Sequence, residues 1–187
     1  SGIAPPWPGI DAQGVLQLRT LDDAAQVERL LAAGARRAAV VGAGYIGLEV
    51  AEGLLERGLA VTVIEQLDAP MGAVLDADMA AGIAQAMRDA GIDLRLGTAV
   101  TGFTPSDGRV SAVDTASGPV PADLALIGLG VRPNVELSRA AGIGIGAAGG
   151  IVVDDHLRTG SPHAWAAGDC VESRHRITGH PVVVALG

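Results

Sequence analysis

Apolar positions along this chain fall into two kinds of run. Ala38-Ala39-Val40-Val41 and Leu124-Ala125-Leu126-Ile127 are unbroken, as expected of parallel strands buried on both faces. Other stretches return to apolar residues every three or four positions, the period of a helix with one buried stripe. The first such stretch follows Thr20, a residue that caps helices, with Asp22 and Asp23 where the helix dipole favours negative charge. It carries Val27, Leu30 and Leu31 on its apolar face, runs to about Ala33 and is stopped by Gly34. A second helix is predicted from Ile46 to about Arg57, ended by Gly58, and a third from Asp76 to near Gly91. The β-branched run at 61–65 closes a βαβ unit, and residues 93–96 predict one more parallel strand.

Beyond residue 99 the pattern changes. Strand-like pieces at 100–103, 110–113 and around Val120 are separated by Ser106-Asp107-Gly108 and Ser117-Gly118-Pro119, and Asp-Gly between strands signals a hairpin. Residues 21–137 therefore predict an α/β domain, Rossmann-like and three-layered, with a parallel sheet and an antiparallel β-meander inserted before the run at 124–127. Residues 1–20, with Ala4-Pro5-Pro6-Trp7-Pro8-Gly9, predict an extended connector. After Ser138 come Gly142, Gly144, Gly146, Gly149 and Gly150, then strand-like pieces at 151–153, 157–159 and 164–167. These are expected to belong to a different sheet, most of which lies outside the sequence. Both ends, Ser1-Gly2 and Val184-Ala185-Leu186-Gly187, read as cuts.

Composition narrows the field. At 187 residues the chain has room for one well-cored domain and part of another. Its 27 glycines, in no repeat, serve particular backbone positions. The net charge of −8 repels polyphosphate backbones and anionic lipid, so nucleic acid and membrane surfaces are not expected partners. No apolar run is long enough to span a membrane and no leader pattern opens the chain, which makes a cytoplasmic location the expectation. Cys170 is the sole cysteine, and His156, His163, His175 and His180 lack ligand spacing, so no metal is expected.

The chemistry is concentrated where the first buried strand ends. Gly42-Ala43-Gly44-Tyr45-Ile46-Gly47 is a GxGxxG placed between a strand and a helix, and Glu65 ends the next strand 18 positions after Gly47. In a dinucleotide fingerprint the glycine equivalent to Gly42 allows the tight turn, Gly44 lets backbone approach the pyrophosphate, and Gly47 lets helix and strand pack closely. The pyrophosphate then lies at the helix N-terminus, where N–H groups and the dipole favour negative charge. Glu65 can accept from a ribose 2′-hydroxyl and would repel a 2′-phosphate, and Gln66-Leu67-Asp68 offers no cation to hold one. NAD(H) is therefore expected in preference to NADP(H). The plainer alternative is a tight strand–helix turn with no ligand.

With Leu48 and Glu49 added, the motif resembles the NAD-site signature of the pyridine nucleotide-disulfide oxidoreductase family, flavoproteins that carry FAD and NAD(P)H on separate domains. The resemblance implies that Tyr45 is an aromatic gate over the flavin's nicotinamide side, that Ile46 lines the cofactor site, and that Glu49 lies near the nicotinamide carboxamide. Their plainer readings are a packed aromatic and a solvent-facing glutamate. Ile127-Gly128-Leu129-Gly130-Val131-Arg132-Pro133-Asn134 resembles the turn closing the family's NAD domain, with Gly128 and Gly130 admitting cofactor and Pro133 starting a short helix. Thr159 with Ala166-Ala167-Gly168-Asp169 resembles the second FAD motif, in which the aspartate binds the ribitol and the glycine admits the flavin chain. On that match residues 1–20 connect from, and 138–187 return to, a partial FAD-binding domain. Residues 171–181 look closest to the coenzyme A disulfide reductase and NADH oxidase branch.

The family's first FAD motif, redox cysteine and dimerisation domain have no counterpart in the sequence. Cys170 follows Asp169 directly and reads as a small buried residue. The resemblance implies hydride transfer from NADH to FAD and on to a disulfide, oxygen or similar acceptor. No catalytic residue is assigned, and the chain alone is expected to be inactive. The expected partners are the dinucleotides, the FAD and dimerisation domains of a parent protein and, because strands removed from their sheet leave open edges, a second copy. Two alternatives stay open: a free-standing NAD(H)-binding or sensing module, and an NADH-dependent reductase of ferredoxin or rubredoxin type.

Overall fold

The computed structural model describes residues 2–185, so Ser1, Leu186 and Gly187, part of the ends read as cuts, lie outside the described residues. The chain divides into a unit spanning Gly2–Gly130 and a second formed by Val131–Gly187. The expected division came after residue 137.

The first unit runs β1 (Val15–Leu16), α1 (Leu21–Ala32), β2 (Arg37–Val41), α2 (Tyr45–Glu56), β3 (Ala60–Ile64), α3 (Ala77–Asp89), β4 (Asp93–Arg95), β5 (Val100–Ser106), β6 (Arg109–Thr115), β7 (Val120–Pro121) and β8 (Leu124–Ile127). A five-stranded sheet has the order β1-β8-β2-β3-β4, and every pairing in it is parallel. β5, β6 and β7 form a separate antiparallel meander.

Burial on both faces explains why β2 is apolar from Ala38 to Val41, since successive side chains point to opposite faces. Ala38 and Val40 pack with Ala51 and Leu54 of α2, Met87 of α3 and Val27 of α1. Ala39 and Val41 pack on the other face with Phe103, Val110, Val113 and Val120 of the meander. The sheet is thus the middle of three layers, helices on one side and meander on the other. Each layer depends on the apolar side chains of its neighbour, at about 25 cal/mol per Å² removed from water.

Helix boundaries follow local signals. Thr20 and Asp23 form a reciprocal capping box: the Thr20 hydroxyl accepts from the Asp23 N–H, and the Asp23 carboxylate accepts from the Thr20 N–H at 2.8 Å. Asp76 stands at the N-cap of α3 without a side-chain cap bond.

The lower end of the sheet is closed by Asp123. Its carboxylate accepts from the N–H groups of Arg36 and Arg37 at 3.0 Å each and pairs with the Arg37 guanidinium at 2.5 Å. The hydrogen bond from Arg37, joined by those backbone N–H groups and opposed by partial burial, holds its carboxyl down at about 2.

Part of the stretch expected as an extended connector also joins the sheet. β1 pairs with β8, Val15 opposite Ala125 and Leu16 opposite Leu126, and Trp7 packs edge-on against Phe103 with ring centroids 6.0 Å apart. Two strand residues are too few for a periodic signal, yet the exposed flank of β8 supplies unpaired backbone groups that a passing chain satisfies.

The second unit contains α4 (Glu136–Ala140), β9 (Ile151–Val152), β10 (Val171–Arg174) and β11 (Pro181–Val182). β10 is central, parallel to β9 and antiparallel to β11, so a separate sheet is present. Two expectations change. The short helix begins after Val135 rather than at Pro133, because the first helical bond joins the Arg139 N–H to the Val135 carbonyl. Residues 157–159 and 164–167 form only a bridge, Arg158 opposite Trp165, rather than strands. No helix among the described residues is long and apolar enough to cross a membrane.

Candidate dinucleotide site

The site is built where β2 stops and α2 begins. The Gly42 N–H extends the ladder by donating to the Ile64 carbonyl at 2.8 Å, and the chain then turns at φ +102°, a left-handed conformation that favours glycine. A Cβ on Gly42 would lie 2.7 Å from the Gly128 carbonyl oxygen, and one on Gly47 only 1.9 Å from the Gly42 oxygen. A Cβ on Gly128 would sit 3.4 Å from Gly47. The glycines just past β2, in α2 and just past β8 are therefore packed against one another, and the turn closes because Gly42 and Gly47 have no side chain, whereas a Cβ on Gly128 would make only ordinary contact.

Gly44 differs from these. It is the N-cap of α2 and offers no side-chain acceptor, and a Cβ built on it would meet nothing within 4 Å. The N–H groups of Tyr45, Ile46 and Gly47 find no acceptor among the described residues. An uncapped helix start with open space in front of a glycine suits an anionic group.

Glu65 lies one residue past β3, half-buried. One carboxylate oxygen accepts from the Ala43 N–H at 2.8 Å and the other from the Leu67 N–H at 2.8 Å. A carboxylate has about four lone-pair sites, so acceptor capacity remains for a hydroxyl. Beside it lies a cavity of ≈ 280 Å³ lined by Gly42, Glu65, Gln66, Thr98, Val100 and Trp7, among others, near the lower bound of small-molecule sites, about 300 Å³.

On the other side of β2, residues Ile46, Gly47, Ile127 and Gly128 line one crevice above the ends of β2 and β8. This is where strand order reverses in a doubly wound sheet, the usual place for a ligand. Tyr45 is 55% exposed. Glu49 is exposed and borders an apolar groove with Leu18, Val50 and Leu54. Gly130 turns at φ +87°, and its carbonyl accepts from the Ile3 N–H at 3.0 Å.

The first unit thus brings together Gly42, Gly44, Tyr45, Ile46, Gly47, Glu65 and Gly128 around one strand end. The second unit holds Gly168, at φ +78°, and Asp169 in the turn that leads into β10. There the Thr159 hydroxyl donates to the Ala164 carbonyl at 3.0 Å. Cys170, expected to be buried, is half-buried, its Sγ 3.3 Å from the Ala167 carbonyl oxygen. The sequence reading missed Thr98 and Trp7, which line the cavity beside Glu65; nothing local in the sequence marks either.

Residues 1–185 match the family model described as pyridine nucleotide-disulphide oxidoreductase. The chain is 40% identical over 166 residues to a rhodocoxin reductase of Rhodococcus erythropolis, covering 88% of this chain and 38% of that protein. It is 36% identical to an NADH oxidase of Methanocaldococcus jannaschii, covering 98% of this chain and 41% of that one. The structure of a NAD-dependent persulfide reductase from A. fulgidus superposes with a TM-score of 0.94 at 37% identity, over 97% of this chain and 34% of the other. The chain spans about two-fifths of the length of the curated relatives it matches. With the family model matched from residue 1 to residue 185 and this fold beneath it, the chain belongs to the pyridine nucleotide-disulphide oxidoreductase family.

Proposed function

We propose that this chain is the NAD(H)-binding portion, with a strip of FAD-binding domain at 138–187, of a flavoprotein oxidoreductase. The cofactors, when bound, would supply the chemistry, carrying hydride from NADH to FAD and electrons on to a disulfide, oxygen or similar acceptor. The protein's part is to hold and orient. The start of α2 presents its N–H groups to the pyrophosphate, the open Gly44 leaves room for it, Gly42 and Gly47 let strand and helix pack closely, and Glu65 accepts from the adenosine ribose. Ile46 and Gly128 border the nicotinamide end, with Tyr45, Glu49 and Gly130 around it, while Gly168 and Asp169 serve the FAD chain.

The observation that carries this reading is the pairing of an open Gly44 with a half-buried Glu65 beyond the next strand. A carboxylate there favours a ribose hydroxyl and disfavours a 2′-phosphate, which selects NADH over NADPH. Titrating the chain with both cofactors, before and after Glu65→Gln, tests it. Glutamine keeps an oxygen for the Ala43 N–H but loses the charge, so the NADH preference is expected to shrink by about tenfold, the worth of one charge-assisted hydrogen bond. Equal affinity for the two cofactors in the unaltered chain would sink the assignment.

A second reading places the parent among reductases of small electron-carrier proteins, favoured by the 40% identity to a protein named rhodocoxin reductase. It shares the NADH site and differs in what accepts electrons from the flavin, so assaying the whole parent with a ferredoxin against a disulfide separates the two.

A further inference from the structure

The connection between β3 and α3 reaches back to the glycine loop and holds it at a single residue. Ala43 is fully buried. Its N–H donates to Glu65 Oε2 at 2.8 Å, and its carbonyl accepts from the Met71 N–H at 2.9 Å. Both polar groups of Ala43 are therefore taken up by residues of one connection, on either side of the residue that precedes the open Gly44.

Met71 delivers its N–H from an unusual backbone. It is buried and lies at φ +54°, a region that bulky L-residues rarely adopt. In the same unit the other non-glycine residue with positive φ is Asp107, whose place in the hairpin turn before Gly108 accounts for it. At Met71 the left-handed turn has a different effect: the N–H faces the Ala43 carbonyl while the Met71 carbonyl accepts from the N–H groups of Val74 and Leu75 at 2.9 and 3.1 Å. Pro70, immediately before it, is fully buried, so the turn is anchored. Sparsely populated backbone persists where the surroundings over-determine it, and such positions cluster at ligand clamps.

We propose that Glu65 and Met71 form a clamp on the two peptide groups flanking Ala43 that sets the direction of the N–H groups at the start of α2, with Met71 a positioning residue acting through Ala43. The inference rests on the dinucleotide reading of the loop. It separates two roles that selectivity alone would merge. Glu65 both chooses the cofactor and holds the loop, whereas Met71 only holds it. A change at Met71 therefore alters affinity for NADH and NADPH by the same factor, and a change at Glu65 alters their ratio.

Three forms of the chain test this: unaltered, Met71→Val, whose branched side chain disfavours left-handed backbone, and Met71→Gly, which adopts it freely. Each is titrated with NADH and with NADPH, and exchange of the Ala43 amide is followed by NMR. Met71→Val is expected to weaken both cofactors by about tenfold with their ratio unchanged and to speed Ala43 exchange. Met71→Gly is expected to keep Ala43 protected and to bind within about twofold of the unaltered chain. If Met71→Val does not fold, Met71→Ala takes its place with the same expected direction. Equal weakening by valine and glycine overturns the proposal, because lost side-chain packing would then explain both. A rapidly exchanging Ala43 amide in the unaltered chain overturns it as well. A protected Ala43 in a chain that binds neither dinucleotide overturns the cofactor reading instead, leaving a brace with no ligand to position.

Discussion

Glycine has two separate roles within six residues of this loop, and the two respond differently to a methyl group. At Gly47 the added Cβ would lie 1.9 Å from the Gly42 oxygen, so α2 must move away from β2. Gly47→Ala is expected to lower stability by about 1 to 3 kcal/mol, the usual cost of overpacking, and to abolish NADH binding; urea denaturation and titration together check it. At Gly44 the added Cβ meets no protein atom, so Gly44→Ala should leave the denaturation midpoint unchanged while weakening NADH, because the methyl occupies space reserved for the pyrophosphate. If Gly44→Ala binds NADH normally, the ligand does not lie where the open face suggests. The spacing of the three glycines was readable from the sequence. Which of them touch protein and which face open space was not, since that depends on how the turn folds back on itself and, at Gly42, on Gly128, brought in from the end of β8 by parallel pairing.

Elements are held at their ends by charge and capping. Thr20 closes the capping box of α1, and Thr20→Ala is expected to cost about 1 kcal/mol, measured as a drop in urea midpoint. Asp123 gives a pH signature. Its carboxyl is held at about 2 in the folded chain against an ordinary 3.8, so the folded state binds the proton more weakly than the unfolded one. Its contribution is complete above the ordinary value and is lost as pH falls through 3.8 toward about 2. Asp123→Asn should flatten the acid dependence of stability in that window, and an unchanged acid profile would show that Arg36 and Arg37 do not stabilise the folded carboxylate. Long elements with strong period were legible: α1, α2, α3, β2, β3 and β8 lie within a residue or two of expectation. Short elements were legible in part: β4, β7 and β9 lie within the strand-like pieces read from the sequence, whereas α4 starts later than expected and β1, of two residues, is too short for periodicity and exists because the flank of β8 offers it partners.

At the scale of the whole molecule, the two units carry unequal shares of the proposed chemistry. The Gly2–Gly130 unit contains a three-layer core and the complete candidate NAD(H) site. The Val131–Gly187 unit supplies a small three-stranded sheet with Gly168 and Asp169 at a turn. Because the chain covers only 38% and 41% of two relatives, we expect it to bind NADH without oxidising it. Loss of NADH absorbance should stay at the level of buffer, with or without added FAD. Steady NADH oxidation by this chain would mean that residues 138–187 suffice to place a flavin.

What the sequence by itself determined is the part of the molecule governed by local spacing. Unbroken apolar runs specify strands buried on both faces, a glycine pattern followed by a carboxylate specifies the strand–turn–helix, and an Asp-Gly pair specifies the hairpin. The tertiary structure alone decided how separate segments meet: β1 completing the sheet beside β8, Trp7 against Phe103, Asp123 under two strand starts, and Met71 holding Ala43. Each of these joins residues far apart in the chain through a backbone group or a ring face. Such a contact leaves no periodic mark in the sequence, because it depends on where two segments arrive rather than on the residues that flank either one.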